Sequence, residues 1–206
     1  MSLLARRSCR WLLAVPLLAL AACVTTPPAP KRTLDAAQRH SLLQDLGAFS
    51  LTGRVAVAAA GQGSTPSVEW RQQRDLSRVK LSGPLGVGSL QLEYSADSLR
   101  LITGNGDILV DDAAQAVLSR ELGFVPPFAA LRYWILGEVA PADAAAVETR
   151  DADGLLQRLE QQQWLILYER YMPVSTSAGI AQMPARLTAT REGLRLRLVV
   201  DRWRLQ

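Results

Sequence analysis

The chain has 206 residues, 49% of them apolar, with one histidine, two cysteines and a formal charge of +4. A single histidine and so few thiols leave no Ser-His or Cys-His pair for nucleophilic catalysis and no disulfide framework. The basic excess is not a nucleic-acid signature, because Arg6, Arg7 and Arg10 sit in a segment the chain is expected to lose, and without them the charge is +1.

Those arginines precede the apolar run Trp11–Leu20, which ends in the small-residue site Leu20-Ala21-Ala22. The run is shorter than the about 20 residues a membrane-spanning helix needs, so residues 1–22 read as a cleaved signal peptide. Leu20-Ala21-Ala22-Cys23 resembles the bacterial lipobox, in which the cysteine is acylated. Val24 stands where an aspartate would imply retention in the inner membrane, so the same resemblance implies the outer membrane. Cys9 leaves with the signal and Cys23 is lipidated, so the domain is expected to be held by its core alone. For the 184 residues left, that is feasible. Pro27, Pro28 and Pro30 make residues 23–33 a semi-rigid tether with a reach of about 30 Å at ~3.1 Å per residue.

The single folded domain is expected over residues 34–206. Thr33 is placed to cap a helix with apolar positions Leu34, Ala37, Leu42, Leu43 and Leu46, and Gly47 to stop it. His40 falls on its polar face, with no set of acids or thiols at metal-ligand spacing. From Phe49 the apolar period becomes two. Phe49, Leu51, Gly53, Val55 and Val57 share one face, and after a turn at Gly61–Pro66 the alternation resumes around Val68 and Trp70. It recurs at Val79 and Leu81, at Leu90, Leu92 and Tyr94, and at Leu99 and Leu101; Gly104-Asn105-Gly106-Asp107 signals a hairpin. Asp111 or Asp112 can cap a helix ending at Gly123, and Pro126-Pro127 opens a second one, with Leu131, Trp134, Ile135 and Leu136, closed at Gly137.

Ala140–Asp153 reads as loop, and two strands are expected to meet around Gln161–Gln163. Met172–Met183 reads as a long loop, followed by a final hairpin turning at Glu192-Gly193. In the last strand Leu194, Leu196, Leu198 and Val200 lie on one face and Val199, Trp203 and Leu205 on the other. That switch implies a bulge or a strand covered on both sides.

The result is a mainly β (α+β) chain whose sheet has one apolar face and two short helices able to cover it. Periodicity does not separate a filled core from a lined cavity. In Gly83-Pro84-Leu85-Gly86-Val87-Gly88, turn chemistry explains the glycines and the proline, while Leu85 either folds inward or faces water. Adjacent acids at Asp111-Asp112 are accounted for by the helix start, and no phosphate-binding glycine loop is present.

Several segments together resemble the LolB family of outer-membrane lipoproteins. They are the lipobox with Cys23, Gly53-Arg54, Trp70, Pro84-Leu85-Gly86, Arg132-Tyr133-Trp134-Ile135-Leu136-Gly137, Trp164 with Tyr168, Met183-Pro184-Ala185 and Asp201-Arg202-Trp203. The resemblance implies an incomplete antiparallel β-barrel with short helices as a lid over a hydrophobic cavity. It implies a monomeric receptor that takes acylated lipoproteins from the periplasmic carrier LolA and inserts them into the outer membrane without ATP, with no cofactor, metal or catalytic residue. Under it, Pro84, Leu85 and Gly86 form a membrane-insertion loop, and Trp70, Trp134, Ile135, Leu136, Trp164 and Tyr168 belong to the cavity or lid. Residues 140–160 match least. The alternative is a structural or assembly lipoprotein with a filled core that binds protein partners.

Overall fold

A computed structural model describes residues 31–59, 62–83, 88–122, 124–141 and 146–206. The expectations for Cys23, for Pro84-Leu85-Gly86, and for Gly61 and Gly123 as turn and stop lie outside these residues.

Helix α1 (Ala36–Gln44) starts two residues later than Thr33 would allow. Asp35 is its cap: the carboxylate accepts the Gln38 backbone N–H at 2.9 Å, and the Gln38 side chain accepts from the Asp35 N–H at 3.2 Å. Thr33 instead pairs with Ile180, and Leu34 donates to the Ile180 carbonyl at 2.9 Å. Arg39 and Leu43 are the buried positions of the helix, while Ala37 and His40 are exposed.

Alternation then gives way to strands, with one departure: inside Gly61–Pro66, expected as a turn, Gln62–Ser64 forms a short strand paired with the preceding one. β1 (Ala48–Ala59), β2 (Gln62–Ser64), β3 (Ser67–Gln73), β4 (Leu76–Ser82), β5 (Ser89–Tyr94), β6 (Leu99–Ile102) and β7 (Ile108–Val110) follow one another. After the helices come β8 (Val147–Arg150), β9 (Leu156–Gln161), β10 (Trp164–Ser175), β11 (Ile180–Arg191) and β12 (Leu194–Leu205). All join one antiparallel sheet in the order β7-β6-β5-β4-β3-β1-β12-β11-β10-β9-β8, with β2 paired to β1. β7 and β8 are its two ends and do not pair, so the barrel is incomplete.

Of the two alternatives for the last strand, the bulge is the one present. Thr52 pairs with Arg202 and Gly53 with Val200, so Asp201 is the extra residue, and Trp203 returns to the buried face with Val200. At this point the two backbones come so close that a Cβ on Gly53 would lie 2.2 Å from the Val199 carbonyl oxygen.

Two loop expectations are corrected. Val147–Arg150, expected as loop, is the edge strand β8; it is exposed along its length, so it carries no alternation to read. Met172–Met183 is no long loop: β10 runs to Ser175, β11 starts at Ile180, and Thr176 closes the short turn by accepting the Gly179 N–H at 3.1 Å on its hydroxyl. The buried positions there, Ala181, Met183 and Ala185, include small side chains that give little hydrophobic signal. Pro184 sits at a register shift opposite Tyr171, where a ladder donor is dispensable.

The two hairpins expected near residues 162 and 192 are tight. Gln162 (φ 52°) and Gln163 (φ 65°) both take positive φ between the paired Gln161 and Trp164, as a type I′ turn requires.

Helices α2 (Asp111–Leu122) and α3 (Phe128–Trp134) occupy the stretch of chain between β7 and β8. The connection therefore runs from one free edge of the sheet to the other, which lays both helices over its inner face. Asp111 serves β6 rather than capping its own helix: its carboxylate accepts the Leu99 N–H at 3.0 Å. Ala114 and Leu118 of α2 and Ala130 and Trp134 of α3 are fully buried against the sheet.

Candidate functional site

Under α3 lies an apolar cavity of about 150 Å³. Its floor is the inner face of the sheet, with Val55 and Val57 of β1, Trp70 of β3, Leu92 of β5 and Leu196 and Leu198 of β12. Its roof is Phe124, Pro126, Phe128, Leu131 and Ile135. An apolar space of this size has room for a benzene-sized guest. Larger hollows of about 510 and 840 Å³ are bordered by charged and amide side chains, among them Arg132, Asp75 and Glu138 in the first and Arg191 and Glu192 in the second. Only the smaller one has a wall suited to hydrocarbon.

An aromatic chain crosses from floor to roof. The Trp70 ring meets Tyr94 edge-on with centroids 6.0 Å apart, and Tyr94 lies 4.7 Å from Phe128 of α3. The Trp70 indole N–H donates to Gln72 at 3.3 Å, which satisfies it without turning a polar group toward the cavity.

Of the six residues expected in cavity or lid, Trp70 and Ile135 border the space. Trp134, Leu136, Trp164 and Tyr168 do not: they are buried together where α3 ends, and they hold that end down. The Trp134 and Trp164 rings lie 6.3 Å apart. The Trp134 indole donates to Gln161 Oε1 at 2.8 Å, and the Tyr168 hydroxyl donates to the Trp134 carbonyl at 2.8 Å. Burial pushes the Tyr168 and Tyr171 hydroxyls above the ordinary tyrosine pKa, so both remain donors; Tyr171 donates to the Leu156 carbonyl at 2.7 Å.

Three further residues complete this latch. Gln161, only 2% exposed, also accepts from Ala140 N–H at 3.1 Å and donates to the Ala140 carbonyl at 2.7 Å. Arg39 of α1 is 3% exposed and donates to Glu138 Oε1 at 2.6 Å, to the Gln182 carbonyl at 2.7 Å and to the Leu136 carbonyl. His40 is exposed as expected, but its Nδ1 lies 2.8 Å from Glu138 Oε2. Between these partners Gly137 takes φ +74°, and a Cβ there would sit 3.0 Å from Arg39 Nη2 and 3.2 Å from the Tyr171 hydroxyl. Sequence reasoning missed Arg39, Glu138 and Gln161; a buried arginine and a buried amide have no signature distinct from exposed ones.

The other end of the lid is held differently. From Phe124 to Leu131 its side chains contact the sheet through apolar and aromatic surface, with the exposed pair Arg132–Asp75 at 3.0 Å beyond.

A sequence profile of the family described as Outer membrane lipoprotein LolB matches residues 47–203. The chain is 32% identical over 198 residues to the Outer-membrane lipoprotein LolB of Chromohalobacter salexigens, covering 95% of this chain and 90% of that protein. It is 32% identical over 194 residues to the protein of the same name from Nitrosococcus oceani, covering 92% and 94%. Among solved structures, a DUF1329 family protein from Desulfovibrio piger is similar in fold, with a TM-score of 0.52 at 9% identity over 82% of this chain and 89% of that one.

Proposed function

Because the chain belongs to the LolB family of outer-membrane lipoproteins, we propose that it receives acylated lipoproteins from the periplasmic carrier LolA in the cavity under α3 and inserts them into the outer membrane without ATP. The observation that carries this reading is a wholly apolar space roofed by a helix whose buried polar ties, among the described residues, gather at one end.

The cavity is too small for the task as it stands. Pockets that take drug-sized ligands measure about 300–1,000 Å³, against about 150 Å³ here, so an acyl chain enters only when the roof lifts. The polar bonds at Glu138, Leu136 and Gln161 fix one end of the lid, and Phe124 and Phe128 give way at the other. Their apolar contacts are replaced, on loading, by contacts of the same kind with the acyl chain. Each buried methylene contributes about 0.8 kcal/mol, so cargo is held without a covalent step, and transfer runs downhill if affinity rises from carrier to receptor to bilayer. Acylated Cys23 raises the concentration of the cavity at the membrane. Pro84-Leu85-Gly86 connects β4 to β5, and we assign Leu85 the role of entering the lipid interface during release.

A fluorescent apolar probe tests the reading. It should bind the protein and be displaced by acylated lipoprotein but not by the same lipoprotein without acyl chains. Leu85→Glu should preserve displacement and impair delivery to outer-membrane vesicles. No probe binding by folded protein would favour a filled-core assembly protein, and failure of Leu85→Glu to fold would make the loop part of the core.

A further inference from the structure

A near-neutral total charge hides an asymmetry. On the outer side of β12, Arg195, Arg197, Arg202 and Arg204 stand in register with Ala58, Ala56, Thr52 and Ser50 of β1. β10 and β11 add Arg170 and Arg186, paired directly with each other. The outer side of these four strands carries two carboxylates, and each is engaged: Glu169 by Arg197 at 2.7 Å and Asp201 by Arg54 at 3.4 Å. Arg170, Arg186, Arg195, Arg202 and Arg204 have no carboxylate at ion-pair distance among the described residues. Like charges in direct cross-strand register cost stability, and Glu169 beside Arg186 offsets only part of that cost. Acids gather elsewhere, at Asp111 and Asp112 of α2 and in the turns holding Asp75, Asp97 and Asp107.

We propose that the outer face of β10, β11, β12 and β1 is a docking surface for anionic phospholipid headgroups, so that the protein rests with this face on the bilayer and its helices away from it. The face is broad and basic and has no aromatic centre, unlike protein–protein interfaces, whose cores are apolar and depleted in charge. The chain enters the fold on β11, through the Thr33–Ile180 pairing, and the residues back to Cys23 reach about 30 Å. A lipid anchor and a basic face are each a modest membrane signal, and together they hold and orient a protein. This inference rests on the acylation of Cys23 proposed above and is independent of the cargo reading.

The test uses the lipidated chain in vesicles, its acylation checked by mass. Cys23 is blocked, so Thr52→Cys on the outer face and Gln115→Cys on α2 each give a single labelling site. With a headgroup quencher, the label at 52 should be quenched in vesicles containing phosphatidylglycerol, and at least about threefold less in neutral vesicles, in about 0.5 M salt, or with Arg195→Gln/Arg202→Gln/Arg204→Gln. The label at 115 should stay unquenched throughout. Equal quenching in neutral and anionic vesicles overturns the proposal, as does shielding of position 52 only on addition of the carrier protein, which would make the face a protein interface. If the triple variant melts early, the lipid and salt comparisons on the parent protein decide.

Discussion

Gly53 shows how far one position can constrain the fold. It faces the Asp201 bulge, and the atom a larger side chain would meet is backbone oxygen, which has no rotamer to yield. Gly53→Ala should therefore lower stability by about 1–3 kcal/mol, the usual cost of overpacking, as a fall in the denaturant midpoint with unchanged slope. An unchanged midpoint would mean that the β1–β12 bulge relaxes freely. Tyr168 makes a second test. Its folded pKa lies above its unfolded value, so the folded state holds its proton more tightly. The stability this contributes is complete below the ordinary tyrosine pKa of about 10 and is lost as pH rises through the folded value. Stability should thus fall above about pH 10, and less steeply in Tyr168→Phe, which should also lose about 1 kcal/mol at neutral pH with the bond to Trp134. Parallel alkaline profiles for the two proteins would assign the fall to other groups.

At the scale of elements, the lid is the part with unequal ends. α3 is seven residues, too short to be stable alone, and takes its order from what it touches. Its C-terminal end is tied by Trp134, Gln161, Tyr168 and Arg39, and its N-terminal end by Phe128 on Tyr94 and Phe124 on Trp164. Phe128→Ala should speed uptake of an apolar probe several-fold in stopped-flow fluorescence while lowering the melting temperature. A rate equal to the parent's would show that the cavity fills without movement of this end. The helix could be read in the sequence from Pro126-Pro127 and the spacing of Leu131, Trp134 and Ile135, but its orientation could not. Trp134 and Ile135 are neighbours in the chain, and one packs into the latch while the other borders the cavity.

At the scale of the molecule, the topology puts the end of the chain at its centre. β12 lies between β1 and β11, and its Trp203 indole donates to the Pro184 carbonyl at 2.8 Å. Deleting residues 201–206 should therefore prevent cooperative folding rather than fray a terminus, seen as loss of a sigmoidal melt and rapid proteolysis. A truncated chain that still melts cooperatively would show that β1 and β11 hold without the lower half of β12.

Most of the strands, all three helices and the apolar face were legible in the sequence, and so was the switch of faces in the last strand, because period-two and period-3.6 patterns follow directly from which side of an element is buried. It missed β8, exposed along its length, and the β10–β11 extension, whose inward residues include alanines. Together with the family's motifs it also carried the kind of protein this is. The folded arrangement alone shows that the apolar face is partly filled and partly a cavity of about 150 Å³, and that of the six residues expected in cavity or lid two border the space while four secure the lid. The same holds for the basic residues scattered through the sequence, which converge on one outer face. The reason is common to all three. Cavity, latch and charged face are set by residues far apart in the chain, whose distances depend on how strands register and where the helices cross, and no local pattern records that.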